Sequence, residues 1–243
     1  NHTKKYGRIA NLWRAAQADA RLSKARKGNG EGDWDWGHGP GAEADGGDSA
    51  RKILEKLRWI TLGPQFDWTT RVYREDEPYR ELPLKLKALA EGLVSELGLR
   101  EGGGCGGRMT YVADAALVNF YGHKDTLGGH RDDAELDQSQ PLVSMSLGCD
   151  AVFLLGQRTK ACKPTAMRVR SGDIVVLAGE ARRCYHGVPR IFTGLSGVDN
   201  AAALITAQAT TVQGYLANHR INISVRNVAA SAPALEQSSE SEE

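Results

Sequence analysis

After Gly107 the chain breaks into six short apolar runs, at 115–121, 141–147, 151–155, 166–170, 173–177 and 221–228, several of them joined by glycine-containing turns. Each is strand-length, and a succession of such runs has to close on itself as a sandwich or barrel to bury its apolar face. Helices are expected ahead of them. One covers 83–97, where Leu86, Leu89, Ala90, Leu93, Val94 and Leu97 share one side and Gly98 supplies a stop. A shorter one, marked by Ile53, Leu54 and Leu57, runs into a strand at 58–62. The expected architecture is α+β, a mainly β core buttressed by N-terminal helices.

With 243 residues, 41% hydrophobic and 25% charged, the chain suits one catalytic domain with extensions. No run approaches the roughly 18 apolar residues of a membrane span, so no membrane partner is expected. The first residue is Asn1, so the chain is expected to begin inside a longer protein. The cysteines Cys105, Cys149, Cys162 and Cys184 form no C-x-x-C pair, which fits reduced thiols in an intracellular compartment. Cys149 and Cys184 lie in apolar runs and are expected in the core.

Charge divides the chain further. Residues 1–27 carry Lys4, Lys5, Arg8, Arg14, Arg21, Lys24, Arg26 and Lys27 around a helical apolar period, which predicts a basic amphipathic helix. Residues 28–48, rich in glycine and acid, read as a flexible linker, and 229–243 as a disordered acidic tail. The folded domain is expected over 49–228.

The chemistry starts from Arg220-Ile221-Asn222-Ile223-Ser224-Val225-Arg226. Strict alternation puts Arg220, Asn222, Ser224 and Arg226 on one face of a strand and the three apolar residues on the other. Two guanidinium groups on such a face are costly to bury unless an anion meets them, and a dicarboxylate fits their bidentate geometry. The alternative is an edge strand with solvated arginines. The triplet His-x-Asp occurs twice, as His123-Lys124-Asp125 and His130-Arg131-Asp132. On an extended strand either puts both side chains on one face, about 6–7 Å apart at Cα and within reach of one ion. Two histidines and a carboxylate on one face of an octahedral iron leave three positions open for a chelating cosubstrate and oxygen. His186 is the candidate third ligand. Residue types and spacing do not choose between the triplets.

Taken in order, Asn119-Phe120-Tyr121, His130-x-Asp132, Leu142-Val143-Ser144-Met145-Ser146-Leu147-Gly148, Ser171-Gly172-Asp173, Tyr185-His186-Gly187 and the arginine strand resemble AlkB dioxygenases over most of 50–228. Leu57-Arg58-Trp59-Ile60-Thr61-Leu62-Gly63, Thr126-Leu127-Gly128 and Ala134-Glu135-Leu136-Asp137 make the resemblance greatest to the homologue-one branch. The resemblance implies a double-stranded β-helix, or jelly roll, with His130, Asp132 and His186 as ligands of Fe(II). It leaves His123 and Asp125 in a solvated turn. It implies that Arg220 meets the distal carboxylate of 2-oxoglutarate and Arg226 the iron-chelating end, with Asn119, Tyr121 and Asn222 adding hydrogen bonds.

The implied reaction uses O2, with ascorbate as reductant in assays, to oxidise an N-methyl group. It releases formaldehyde, succinate and CO2 from 6-methyladenine, 1-methyladenine or 3-methylcytosine in DNA or RNA. The base must be flipped out or already unpaired. Arg182 and Tyr185 are the expected base contacts, and Lys4, Lys5, Arg8, Lys24, Arg26, Lys27, Lys160 and Lys163 the phosphate contacts. Two departures bear on the substrate: Ala134 stands where the bacterial enzyme has a carboxylate, and the stretch 191–217 is longer than in compact members, with a loop at 194–203. The expected state is a monomer. Rival readings are a 2-oxoglutarate-dependent protein hydroxylase and an inactive methyl-base reader, with a zinc hydrolase further off because it leaves the arginine pair unexplained.

Overall fold

Alternation along the strands sorts side chains into an apolar set and a polar set, and the two sets face different layers. The structure, a computed structural model, describes residues 56–67, 69–70, 72–74, 79–99, 111–193 and 212–228. The expected basic helix, linker, acidic tail, 194–203 loop and N-terminal phosphate contacts all lie outside the described residues, as does most of the short helix near 53–57.

In chain order the elements are β1 (Trp59–Leu62), β2 (Gln65–Asp67), β3 (Val72–Arg74), α1 (Leu84–Glu96), β4 (Ala115–Tyr121), β5 (Leu127–His130), β6 (Leu142–Gly148) and β7 (Asp150–Leu155). They continue with β8 (Thr165–Val169), β9 (Ile174–Leu177), a 3-10 turn (Gly179–Arg183), β10 (His186–Phe192), α2 (Val212–Leu216) and β11 (Arg220–Arg226). Two antiparallel sheets result, a larger one ordered β1-β4-β11-β6-β9 and a smaller one ordered β5-β10-β7-β8, with β2 and β3 pairing separately as a hairpin. This is the expected jelly roll. No helix among the described residues is long and apolar enough to cross a membrane.

The core has two parts. Between the sheets pack Leu142, Cys149, Phe153, Val169, Leu177, Val188 and Ile191. On the far side of the larger sheet, Ala90 and Val94 of α1 cover Ala116, Val143, Met145 and Val225. Helix α1 therefore buttresses the sheet and takes no part in the site. It ends as its sequence dictates, with Leu97 bonding back to the Leu93 carbonyl and Gly98 at φ +59°. Cys149 is buried as expected. Cys184 is not a core residue: it is half-buried after the 3-10 turn, its thiol donating to the Glu180 carbonyl at 3.2 Å.

Candidate active site

Strand β11 lies in the middle of the larger sheet, between β4 and β6, so its polar face cannot escape into solvent. Arg220, Asn222, Ser224 and Arg226 are all buried, at 2–7% exposure, while Ile223 and Val225 pack on the opposite face with the α1 cluster. The edge-strand alternative is thereby excluded. Ser144 and Ser146 of β6 sit opposite Ser224 and Asn222, and the polar side chains bond to one another. Ser144 donates to Asn222 Oδ1 at 2.9 Å, and Arg220 Nη2 donates to Ser146 Oγ at 2.9 Å and Asn222 Oδ1 at 2.8 Å. These bonds use one nitrogen of Arg220. Among the described residues its Nε and Nη1 are buried without a hydrogen-bond partner, as is Nε of Arg226. A buried cation with unpaired donors is the condition an anion relieves.

Across the same cavity stand the metal-ligand candidates. His186 on β10 is the register partner of His130 on β5, which brings their rings to 4.4 Å between centroids. Asp132 lies two residues beyond His130, just after β5 ends, with Oδ1 3.7 Å from His130 Nε2 and Oδ2 3.7 Å from His186 Nε2. The three ligand atoms all lie within 4.8 Å of one another. Each imidazole is also turned correctly. His130 Nδ1 lies 2.9 Å from the Gly128 carbonyl and His186 Nδ1 3.3 Å from the Cys184 carbonyl, so each Nδ1–H donates outward and leaves Nε2 as the lone-pair donor. Burial holds the His186 imidazole below its ordinary value, against the pull of Asp132, and keeps it neutral and able to ligate. Burial alone would raise the Asp132 carboxyl, but Arg226 and the two imidazoles outweigh it and hold it in the anionic form. The donor set fits a divalent ion of the iron type.

The other triplet is elsewhere. His123 is exposed and meets Thr193 Oγ1 at 3.0 Å. Asp125 is half-buried, not solvated as expected, because Oδ2 accepts from the Gly122 N–H at 2.7 Å and Oδ1 faces Arg58 at 3.6 Å. Its carboxylate ties the turn.

The cavity holding the triad and the arginines has a volume of about 570 Å³, within the range of small-molecule sites. Asn119, Tyr121 and Asn222 line it, as do Tyr185 and Ala134, and Trp59, Phe66 and Tyr73 come from the β1 to β3 side. Tyr121 lies against Arg220, whose guanidinium carbon is 5.2 Å from the ring centroid. Burial pushes its phenol up to about 12 despite Arg220, so it remains a donor at neutral pH.

Arg182 is placed differently from expectation. It does not line the cavity: its side chain is 1% exposed and every nitrogen is engaged, Nε with the Gln140 carbonyl, Nη1 with the Asp132 carbonyl and Nη2 with Glu135 Oε2 at 2.7 Å. With each nitrogen bonded inside the protein and the side chain enclosed, Arg182 does not present its guanidinium to the cavity. The residue that sequence reasoning missed is its partner Glu135. Its 1% exposed carboxylate accepts from Arg182, from Arg226 Nη1 at 2.6 Å and from the Tyr73 hydroxyl at 3.1 Å. Glu135 thus joins the metal-side segment, the arginine strand and the β2–β3 hairpin. A carboxylate three residues after Asp132 carried no warning of this, since both cationic partners are distant in sequence.

The sequence profile of the 2OG-Fe(II) oxygenase superfamily matches residues 9–226. The chain belongs to that superfamily. Family membership and the His-Asp-His triad together imply Fe(II) and 2-oxoglutarate. The oxygenase is 45% identical over 74% of its length to the DNA N(6)-methyladenine demethylase ALKBH1A of Arabidopsis thaliana, covering 51% of that protein. It is 35% identical over 73% of its length to the tRNA demethylase abh1 of Schizosaccharomyces pombe, covering 55% of it. The solved structure of OsALKBH1 superposes with a TM-score of 0.53 at 25% identity, covering 70% of this chain and 77% of that one. These similarities bear out the homologue-one branch of the AlkB type. The oxygenase spans about half the length of the two curated relatives it matches here.

Proposed function

We propose that this chain is an Fe(II)- and 2-oxoglutarate-dependent demethylase of N-methylated bases in nucleic acid, its catalytic unit being residues 49–228. The observation that carries the reading is Arg220, buried with two nitrogens that have no hydrogen-bond partner among the described residues, beside a cavity whose other wall holds three converging metal ligands. Iron and 2-oxoglutarate, when bound with O2, supply the oxidising power that hydroxylates a methyl group, and the hydroxymethylated nitrogen then sheds formaldehyde.

The protein's own residues do the positioning. His130, Asp132 and His186 hold the metal through Nε2, a carboxylate oxygen and Nε2. Arg220 takes the distal carboxylate of 2-oxoglutarate, since it stands at the opposite end of β11 from Arg226, the arginine beside Asp132, and Tyr121 donates beside it. Arg226 stands 3.6 Å from Asp132 and serves the end nearer the metal. Asn119 and Asn222 complete the polar lining. With this floor occupied by cosubstrate, the flat aromatic surfaces of Trp59, Phe66 and Tyr73 on the β1 to β3 side leave a slot for a planar base, which must be unpaired to enter. Relatives named for DNA N(6)-methyladenine and for tRNA support the substrate class without choosing the polymer.

The test is a nucleoside analysis by mass spectrometry. Methylated DNA and RNA oligomers are incubated with the protein, iron, ascorbate and 2-oxoglutarate, and the expected result is loss of the methyl mark from at least one, matched by formaldehyde and succinate. Succinate formation with every oligomer still fully methylated would remove the nucleic-acid reading in favour of another acceptor.

A further inference from the structure

Beside the active-site cavity lies a second cleft of about 400 Å³, and Tyr185 and His186 line both. Its β5 edge is bare backbone at two positions. Gly128 and Gly129 of β5 line it, and among the described residues a Cβ on Gly128 would meet nothing within 4 Å, while one on Gly129 would meet only Lys160 Cε at 4.0 Å. The glycines are therefore not required there by crowding. They leave a shelf on which another chain can approach closely. One wall is the β7–β8 loop, which supplies Thr159 and Lys160.

The divider between cleft and cavity is an aromatic ring with cations on it. Lys160 Nζ stands 5.0 Å and the Arg131 guanidinium carbon 5.2 Å from the Tyr185 ring centroid. Lys160 makes no ion pair among the described residues, and it is exposed. Arg131 faces Asp133 at 4.0 Å with both side chains more than 40% exposed, so part of its charge is offset and Lys160 is the principal cation.

We propose that this cleft holds the nucleotide flanking the target base, on a single strand: the flanking base against Tyr185 and its phosphate on Lys160, with Arg131 assisting. The inference rests on the nucleic-acid reading above and extends it. A strand that sends one base into the cavity must pass its neighbour over the cavity's edge, and this edge joins an aromatic face, a cation with no ion pair among the described residues and the open backbone of Gly128 and Gly129. An acidic protein segment would also be drawn to Lys160, but the ring at the divider would gain nothing from a carboxylate, whereas a base stacks on it.

The test is binding of a labelled 12-nucleotide oligo-dT to the whole chain, loaded with Mn(II) and 2-oxoglutarate, by fluorescence anisotropy across a salt series. Lys160→Gln is expected to lower the slope of log affinity against log salt by about 0.7, one single-strand phosphate contact. Tyr185→Ala should weaken binding about tenfold. Lys85→Gln, exposed on α1 behind the larger sheet, should leave the slope in place. A wild-type slope in Lys160→Gln, or an equal loss in Lys85→Gln, would overturn the cleft as a built site, and so would a wild-type chain that does not bind the oligomer. Melting curves on each variant separate these results from unfolding. If the slopes behave as stated but no methylated oligomer is turned over, the functional reading fails and the strand site stands; if turnover occurs and the slopes do not move, the reverse holds.

Discussion

Arg220 and Arg226 alternate on one strand, yet their surroundings assign them different work. Arg226 is neutralised within the protein by Glu135 at 2.6 Å, with Asp132 at 3.6 Å, whereas among the described residues Arg220 bonds to the neutral oxygens of Ser146 and Asn222 and burial pulls its basicity down. The diacid is thus needed most by Arg220. Arg220→Ala is expected to raise the 2-oxoglutarate concentration for half-maximal succinate formation by roughly 10- to 100-fold, the worth of one charged hydrogen-bonded contact. An unchanged requirement with altered oligonucleotide affinity would reassign it. At the metal the contrast is between the two triplets. Asp132→Ala should abolish Mn(II) binding in an equilibrium titration, and His123→Ala should leave it as in the parent, since His123 sits on an exposed turn bonded to Thr193. Equal loss in both would mean that the ligand set is wrong.

Among the elements, legibility followed the regularity of the side-chain pattern. β4, β6, β7, β8, β9 and β11 were all marked by apolar runs because each buries a face between or behind the sheets. The two strands that carry the histidines were not. β5 reads Leu-Gly-Gly-His and β10 contains Gly187 and Pro189, so neither shows a period of two, and pairing with neighbours creates them where propensity does not. Their histidines stand as candidates by residue type, and the family resemblance is what chooses between the two triplets. Likewise Glu135 and Arg182 could not be paired from sequence, since their contact spans 47 residues and depends on how the segment after β5 folds over the 3-10 turn. The β5–β10 junction also sets a mutational expectation. A Cβ on Gly187 would lie 2.8 Å from the Leu127 carbonyl oxygen and 3.2 Å from the Gly128 carbonyl carbon, both backbone. Gly187→Ala must push β5 away from β10 and pull His130 from His186. Mn(II) affinity should fall roughly 10- to 100-fold, as when groups that orient ligands are lost. Circular dichroism should show the sheets intact; an alanine variant with parental metal affinity would show that the junction yields elsewhere.

For the molecule as a whole, the site is also the place where stability is exposed to pH. Asp132, Glu135, Arg182 and Arg226 form a buried charged cluster between the sheets' polar faces and the β2–β3 hairpin. Burial opposes ionisation of Glu135, but Arg226 and Arg182 outweigh it and hold its carboxyl below the ordinary 4.5, and Asp132 likewise lies below 3.8. As acid is added, the unfolded chain takes up protons at these two positions before the native state does. The stability they contribute is therefore complete above about pH 4.5 and is lost as pH falls through the lowered native values. His186 acts earlier and in the same direction. Burial holds its imidazole below 6.5, so in metal-free protein the unfolded chain binds the extra proton first, and stability starts to fall below that pH. Calorimetry of metal-free protein from pH 8 to pH 3 should give a melting temperature that is flat at the top, declines below about 6.5 and declines more steeply below about 4.5. Glu135→Gln should start lower at pH 7, by about 3–5 kcal/mol, because buried Arg182 loses its carboxylate partner and Arg226 the nearer of its two. It should then fall less steeply in the acid limb, since the group that titrates there is gone. A variant whose acid limb keeps the parental slope would show that other carboxylates govern acid unfolding and that the Glu135 junction, however well enclosed, is not where the native state gains its preference for neutral pH.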